Sequence, residues 1–270
     1  AFHLQVQRGD LAFYYPHVLR GGGPFRYEGA VHELPVNPND PNDLPTIAPG
    51  IVHHAPDPPE KRLRTLRDRN LPALLKEVNT ATESRKARVL LHLAQTYEGL
   101  ADAAPKDEPG GEYLTLLAEA MAAYMRRVEM GGPVDEVNLA RFGILNCAIG
   151  LNLYHETEIL LRLSDLAHED PHRPEIWYML ALLSSKFAPE RGYQYAIDAI
   201  RVARAARDRV TTLTAVDHSC LWRSHLLAAR CARDLVDAKE AARQAEAAIE
   251  AGATREALAA AGFERAEDAA

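Results

Sequence analysis

The sequence predicts a mainly α-helical protein, an irregular α-solenoid of antiparallel helix pairs behind a small strand-and-loop segment. Three observations carry this. Residues 60–262 are dominated by Ala, Leu, Glu and Arg, with apolar side chains returning at helical spacing. Short Gly, Pro and Asp punctuation separates the stripes, so neighbouring helices must fold back on one another. Residues 1–60 differ sharply, holding ten of the 17 prolines and alternating apolar with polar positions. The expected division is therefore a strand and loop segment over 1–58, a helical domain over 59–262 and a flexible tail over 263–270.

Along the first segment, Phe2, Leu4 and Val6 alternate as in a half-buried strand. Leu11–Leu19 is a second strand with Pro16 at an edge or bulge position. Gly21-Gly22-Gly23-Pro24 breaks it, Phe25–Leu34 resumes strand character, Pro35–Pro49 is a loop, and Ile51–His54 is one more short strand. The first helical stripe joins Leu63, Leu66, Leu71, Leu74, Leu75 and Val78. Pro72 interrupts it and predicts a kink or a fresh start capped by Asn70. Leu90–Leu100 and Tyr113–Tyr124 make the next two stripes. Gly131-Gly132 stops the third helix and Pro133 opens a fourth over Val134–Ile149. Further helices are expected at Tyr154–His168, from Pro171 and Pro174 through Leu183, at Glu190–Ala206, at Ala215–Asp234 and at Asp237–Ala251.

Alternate helices start near residues 84, 134, 172 and 215. The spacing is repeat-like but wider than the roughly 34 residues of a tetratricopeptide (TPR) unit. Single pairs fit better: Tyr178-Met179-Leu180-Ala181, then Gly192-Tyr193 and Ala196, resembles that helix–turn–helix. A degenerate, TPR-like solenoid follows, with an irregular bundle as the alternative.

Composition narrows the function. Lys and Arg total 31 against 38 Asp and Glu, a net charge of −7. Such a chain is poorly suited to non-specific binding of nucleic acid or anionic membranes. Cys147, Cys220 and Cys231 form no CxxC pair, and their odd number excludes a fully paired disulfide framework, so a reducing, cytoplasmic compartment is expected. No apolar run approaches the roughly 20 residues that span a bilayer.

Tyr15–Arg20 followed by Phe25-Arg26-Tyr27-Glu28-Gly29-Ala30-Val31-His32-Glu33 resembles the closing part of a family 2, GT-A type glycosyltransferase domain. There a strand ending in Arg leads to a G-x-V/I-H-E strand. Ile51-Val52-His53-His54, then Arg67-Asp68-Arg69-Asn70-Leu71 with Leu74-Leu75, is similar to the family's next strand and helix. Arg126–Val137 and Pro171–Glu175 are similar to segments of members with TPR-like C-terminal helices. The resemblance implies transfer of a sugar from a nucleotide-sugar donor to an acceptor, a protein or peptide among the options. It implies a divalent metal, Mn or Mg, in the complete enzyme and none bound to this chain alone. No Asp-x-Asp precedes residue 33, so it also implies a missing N-terminal catalytic half, upstream or on a separate chain. The helical half would bind the acceptor or partner, or make a homodimer. The alternative is a non-catalytic TPR-like module that binds proteins or peptides.

Site residues follow from that resemblance. Glu33 takes the place of a carboxylate that would accept the acceptor's proton; otherwise it pairs with Arg26 or Arg20 at the surface. Arg20 and Arg26 would hold the diphosphate, since guanidinium forks match phosphate oxygens. Either His53 or His54 would ligate the metal, because strand alternation sends the two to opposite faces. The remaining candidates have plainer readings. Gly21–Gly23 is a turn, for no helix N-terminus follows it. Trp177, Tyr178, Tyr193 and Trp222 are expected in the solenoid core rather than on a ligand platform. Cys220 and His225 diverge by about 140° around one helix, which argues against a thiol enzyme.

Overall fold

The computed structural model describes residues 58–106, 111–206 and 219–263, together with the backbone of five strands and of residues 216–217. The strands are β1 (Phe2–Arg8), β2 (Leu11–Val18), β3 (Arg26–Glu28), β4 (Leu34–Val36) and β5 (Thr46–His54). β5 runs parallel to β1, with a register shift between His3 and Gln5, and β3 pairs antiparallel with β4.

The helical region begins with α1 (Pro59–Arg64), a wide π-helical turn (Thr65–Asn70) and α2 (Leu71–Thr80). Pro72 explains the wide turn. It lacks an N–H and its ring crowds the carbonyl four residues back, so the backbone opens and the Leu71 N–H bonds Leu66 five residues back. The Pro72 interruption is thus absorbed without a break. Asn70 does not cap a new helix: its backbone is helical, its side chain makes no cap bond, and its Oδ1 accepts a hydrogen bond from Arg69 Nε at 3.1 Å. Gly99 makes room for the turn, since a Cβ there would lie 2.9 Å from Leu66 Cδ1.

Among the described residues nine further helices follow: α3 (Glu83–Ala101), α4 (Glu112–Glu129), α5 (Val134–Gly150), α6 (Glu156–Glu169), α7 (Pro174–Ser184), α8 (Pro189–Ala206), α9 (Ser219–Asp234), α10 (Ala238–Glu250) and α11 (Arg255–Ala260). They divide between two compact units, α1–α5 in one and α6–α11 in the other. In the first, α3 packs on α4 and α4 on α5, while α3 also touches α5. In the second, α6 to α10 pack each on the next, while α7 also touches α9. A helix that meets both its neighbour and the neighbour's neighbour belongs to a two-layered stack of antiparallel pairs. That is the mainly α, irregular TPR-like solenoid the periodicity predicts.

The cores follow the stripes. In the first unit Leu74, Val78, Leu90, Ala94, Leu117, Ala120 and Ala140 form one buried cluster. In the second, Ala229, Ala232, Ala241, Ala245 and Ala248 line the α9–α10 contact. Such small side chains let two backbones approach closely. Gly192 serves the α7–α8 contact in the same way, because a Cβ there would sit 2.7 Å from the Ser185 Cα.

Helix ends repeat one device. At α5, α9, α10 and α11 the N–H after the turn residue reaches back five positions: Leu153 to Ala148, Asp237 to Ala232, Ala253 to Ala248, and Phe263 to Leu258. This is the Schellman closure, which needs a left-handed residue at its centre. Asn152 (φ 54°), Gly252 and Gly262 suit that place. Val236 (φ 62°) does not, since a β-branched side chain opposes that backbone. Val236 is also 91% exposed.

Candidate functional site

The residues that the sequence nominates for chemistry fall mostly beyond the described side chains. Glu33 and Arg20 lie outside the described residues. Arg26 opens β3 opposite Val36, and His53 and His54 end β5 opposite Gln7 and Arg8. The side chains of all three lie outside the described residues, so the structure neither assembles nor separates this set. Among the described residues no three His, Cys, Asp or Glu side chains are grouped to hold a metal ion.

What the described residues do assemble is three polar clusters inside helical packing. The first crosses α3, α4 and α5. Tyr124 donates its hydroxyl hydrogen bond to Glu98 Oε2, and Cys147 Sγ lies 3.8 Å from Glu98 Oε1. Burial pushes the Glu98 carboxyl up from 4.5 to about 7 against the help of these two donors. Burial, then the Glu98 charge, pushes the Cys147 thiol and the Tyr124 phenol up as well. A thiol held protonated is a poor nucleophile, so the trio reads as a packed joint between helices.

The second cluster explains the Arg126–Val137 segment. Arg127 is fully buried at the end of α4. Its Nη1 donates to the Gly131 carbonyl at 2.6 Å and its Nη2 to Glu136 Oε2 at 2.9 Å. Arg88 of α3 approaches the other Glu136 oxygen at 3.8 Å. Gly131 (φ 63°) and Gly132 (φ 98°) let the chain turn tightly around this buried ion pair. The pattern R-x-x-x-G-x-x-x-x-E is therefore a clamp on the α4–α5 corner.

The third cluster joins α8, α9 and α10. Arg204 Nη2 lies 3.3 Å from His225 Nε2, and His225 Nδ1 lies 2.6 Å from Gln244 Oε1. Gln244 Nε2 donates to Glu240 Oε1 at 2.9 Å. Glu240 also accepts the Tyr193 hydroxyl and both Arg243 donors, at 2.7 and 2.6 Å. These bonds, those of Arg243 foremost, hold the Glu240 carboxyl down at about 2. Burial, reinforced by the Arg204 charge, lowers His225 below its ordinary 6.5. His225 thus turns to α8 and α10, not to Cys220.

The nominated aromatics are half-buried: Tyr178 and Tyr193 pack against the α7–α9 core, and Trp222 against the α9–α11 core. Trp177 donates from Nε1 to the Pro171 carbonyl at 3.1 Å and meets the Tyr195 ring at 6.3 Å. Pro171–Glu175 is similarly structural, with Arg173 buried beside Asp170 at 3.6 Å and Pro174 in the first turn of α7. Motif reading missed the first and third clusters because their members lie far apart in sequence, and it read the second, inside Arg126–Val137, as a family segment. Only the charged pair at positions 127 and 136, flanking a Gly-Gly turn, offered a visible signal.

No family model matches the chain, and no curated protein matches it. Among solved structures, similarity is found to the crystal structure of MamA, at 13% identity and a TM-score of 0.47, covering 71% of this chain and 92% of that one. The resemblance to a family 2 glycosyltransferase is corrected on these findings. No family model matches the stretches that were read as a GT-A enzyme's, and the helical segments thought to carry the resemblance are corner clamps and helix starts. The GT-A assignment, its metal dependence, the nucleotide-sugar donor and the missing catalytic half lose their basis with it. Among the described residues no helix is long and apolar enough to cross a membrane.

Proposed function

We propose that this chain is a non-catalytic, TPR-like module that binds a protein or peptide partner through its helical domain, residues 59–262. The supporting observation is the layering within each unit, where α3 touches α5 and α7 touches α9. Stacking of this kind lines helices of one layer side by side and makes an extended surface that a polypeptide fits. The polar clusters agree with that role, because they bond across helix pairs inside the packing. On the second unit Leu161 is 64% and Phe187 63% exposed, which makes them the positions from which a bound partner is sought. A reducing, cytoplasmic setting suits the three buried, free thiols.

The test is site-specific photo-crosslinking from positions 161 and 187 in cells, followed by binding measurements with the purified partner. The expected result is one recurrent polypeptide whose affinity falls at least about tenfold, ~1.4 kcal/mol, in Leu161→Asp or Phe187→Asp chains that keep their helical circular dichroism. No recurrent crosslink from either position, with both variants functioning as the parent does, refutes this reading.

A further inference from the structure

The polar chain through α8, α9 and α10 has a direction built into it. A guanidinium has five donors and no acceptor. Arg204 Nη2, 3.3 Å from His225 Nε2, therefore bonds only if that nitrogen offers a lone pair. The single ring proton must then sit on Nδ1, which donates to Gln244 Oε1 at 2.6 Å. Gln244 is buried and does not reverse its amide, because its Nε2 is committed to the Glu240 carboxylate at 2.9 Å. Turning it round would set carbonyl oxygen against carboxylate. Glu240 is itself fixed by Arg243 and Tyr193. So α10 dictates the Gln244 orientation, Gln244 dictates the His225 tautomer, and the tautomer admits Arg204.

We propose that this chain is an acid-sensitive latch, which holds α10 onto α8 and α9 while His225 is neutral and lets go when it gains a second proton. The doubly protonated ring sets N–H against N–H and cation against cation at Arg204. The charged groups acting on the ring are Arg204 from α8 and Arg243 and Glu250 from α10, two cations against one anion, and α7 adds none to them. Glu240, held ionised well into acid, does not titrate in the same window. Release would uncover the apolar seam of Ala241, Ala245, Ala248, Leu258 and Phe263.

The experiment uses the full chain labelled with ¹⁵N. Two-bond proton–nitrogen spectra at about pH 7.5 read the tautomer, and a titration to about pH 5 covers the range in which an imidazole changes charge. Hydrogen exchange, corrected for its intrinsic pH dependence, is followed in parallel. The expected result is the Nδ1–H tautomer of His225 and loss of α10 protection in step with its protonation, while α7 stays protected. In Arg204→Met the acid loss shrinks. An Nε2–H tautomer, α10 protection indifferent to this pH change, or simultaneous loss from α7 and α10 overturns the proposal, and these are read on the unmutated chain.

Discussion

Replacing Glu98 by Gln isolates the effect of one ionisable group. Its carboxyl lies among α3, α4 and α5, receiving Tyr124 and facing Cys147. The folded chain binds its proton more tightly than the unfolded chain, with the value raised from 4.5 to about 7. Stability from this site is therefore complete below about pH 4.5 and lost as the pH rises through about 7. At ~1.4 kcal/mol per tenfold change in the ionisation constant, that interval carries about 3 kcal/mol at most. The side chain keeps some contact with water, which reduces the figure to about 1–2 kcal/mol. Gln keeps an oxygen for the Tyr124 hydroxyl and never ionises. Glu98→Gln should therefore match the parent near pH 4.5 and exceed it by about 1–2 kcal/mol near pH 8. Both tryptophans, Trp177 and Trp222, lie on α7 and α9, so fluorescence reports the other unit. Hydrogen exchange of α3 and α4 amides in increasing urea is the proper assay. A variant less stable than the parent at pH 8, or one with the parent's pH slope intact, refutes the assignment of the buried charge.

Three other substitutions test the packing. Arg127→Met leaves the buried Glu136 with Arg88 alone, at 3.8 Å, and should cost up to about 3–5 kcal/mol by urea unfolding; Arg127→Met with Glu136→Leu should recover much of that loss. Val236→Gly relieves a left-handed β-branched residue and should raise stability by about 0.5–1 kcal/mol after the extra chain entropy of glycine; no gain in the melting temperature would mean the exposed Val236 side chain has partners in solution. Gly143→Ala drives a methyl into the Tyr124 ring and should destabilise by about 1–3 kcal/mol, with loss of the Tyr124–Glu98 hydrogen bond visible in the tyrosine absorbance titration.

Helix identity was legible because periodicity and punctuation act locally. Gly131-Gly132-Pro133 marks a real corner, and Asp237 does start α10, accepting a hydrogen bond from the Glu240 N–H at 3.0 Å. The π-helical turn at Pro72 was not legible, since the same proline permits a kink, a break or a widened turn and packing against Gly99 selects among them. The short α11 escaped because a single turn, capped by Thr254, has too little apolar repeat to stand out. The clusters stayed hidden for a different reason: Glu98, Tyr124 and Cys147 come from three helices, and no linear spacing relates them. The same physics misled the family resemblance. Arg127, Gly131, Gly132 and Glu136 form a short, ordered, charged pattern of the kind catalytic motifs show, yet each is held there by the geometry of a corner.

The widened turn before Pro72 also sets a phase. A π-helical turn carries one residue more than the α-helical turn it replaces, so everything on its N-terminal side is rotated by about 100° relative to an uninterrupted helix. Deleting a single residue between Thr65 and Asn70 would leave α2 and the core beneath it in register while swinging Lys61, Arg62 and Arg64 a quarter-turn or more around the axis. The direction in which α1 presents those cations is thus encoded by a count, and one codon lost or gained there would re-aim that end of the helix, the half-buried Leu63 with it, while the α2 residues Leu74 and Val78 keep their place in the core.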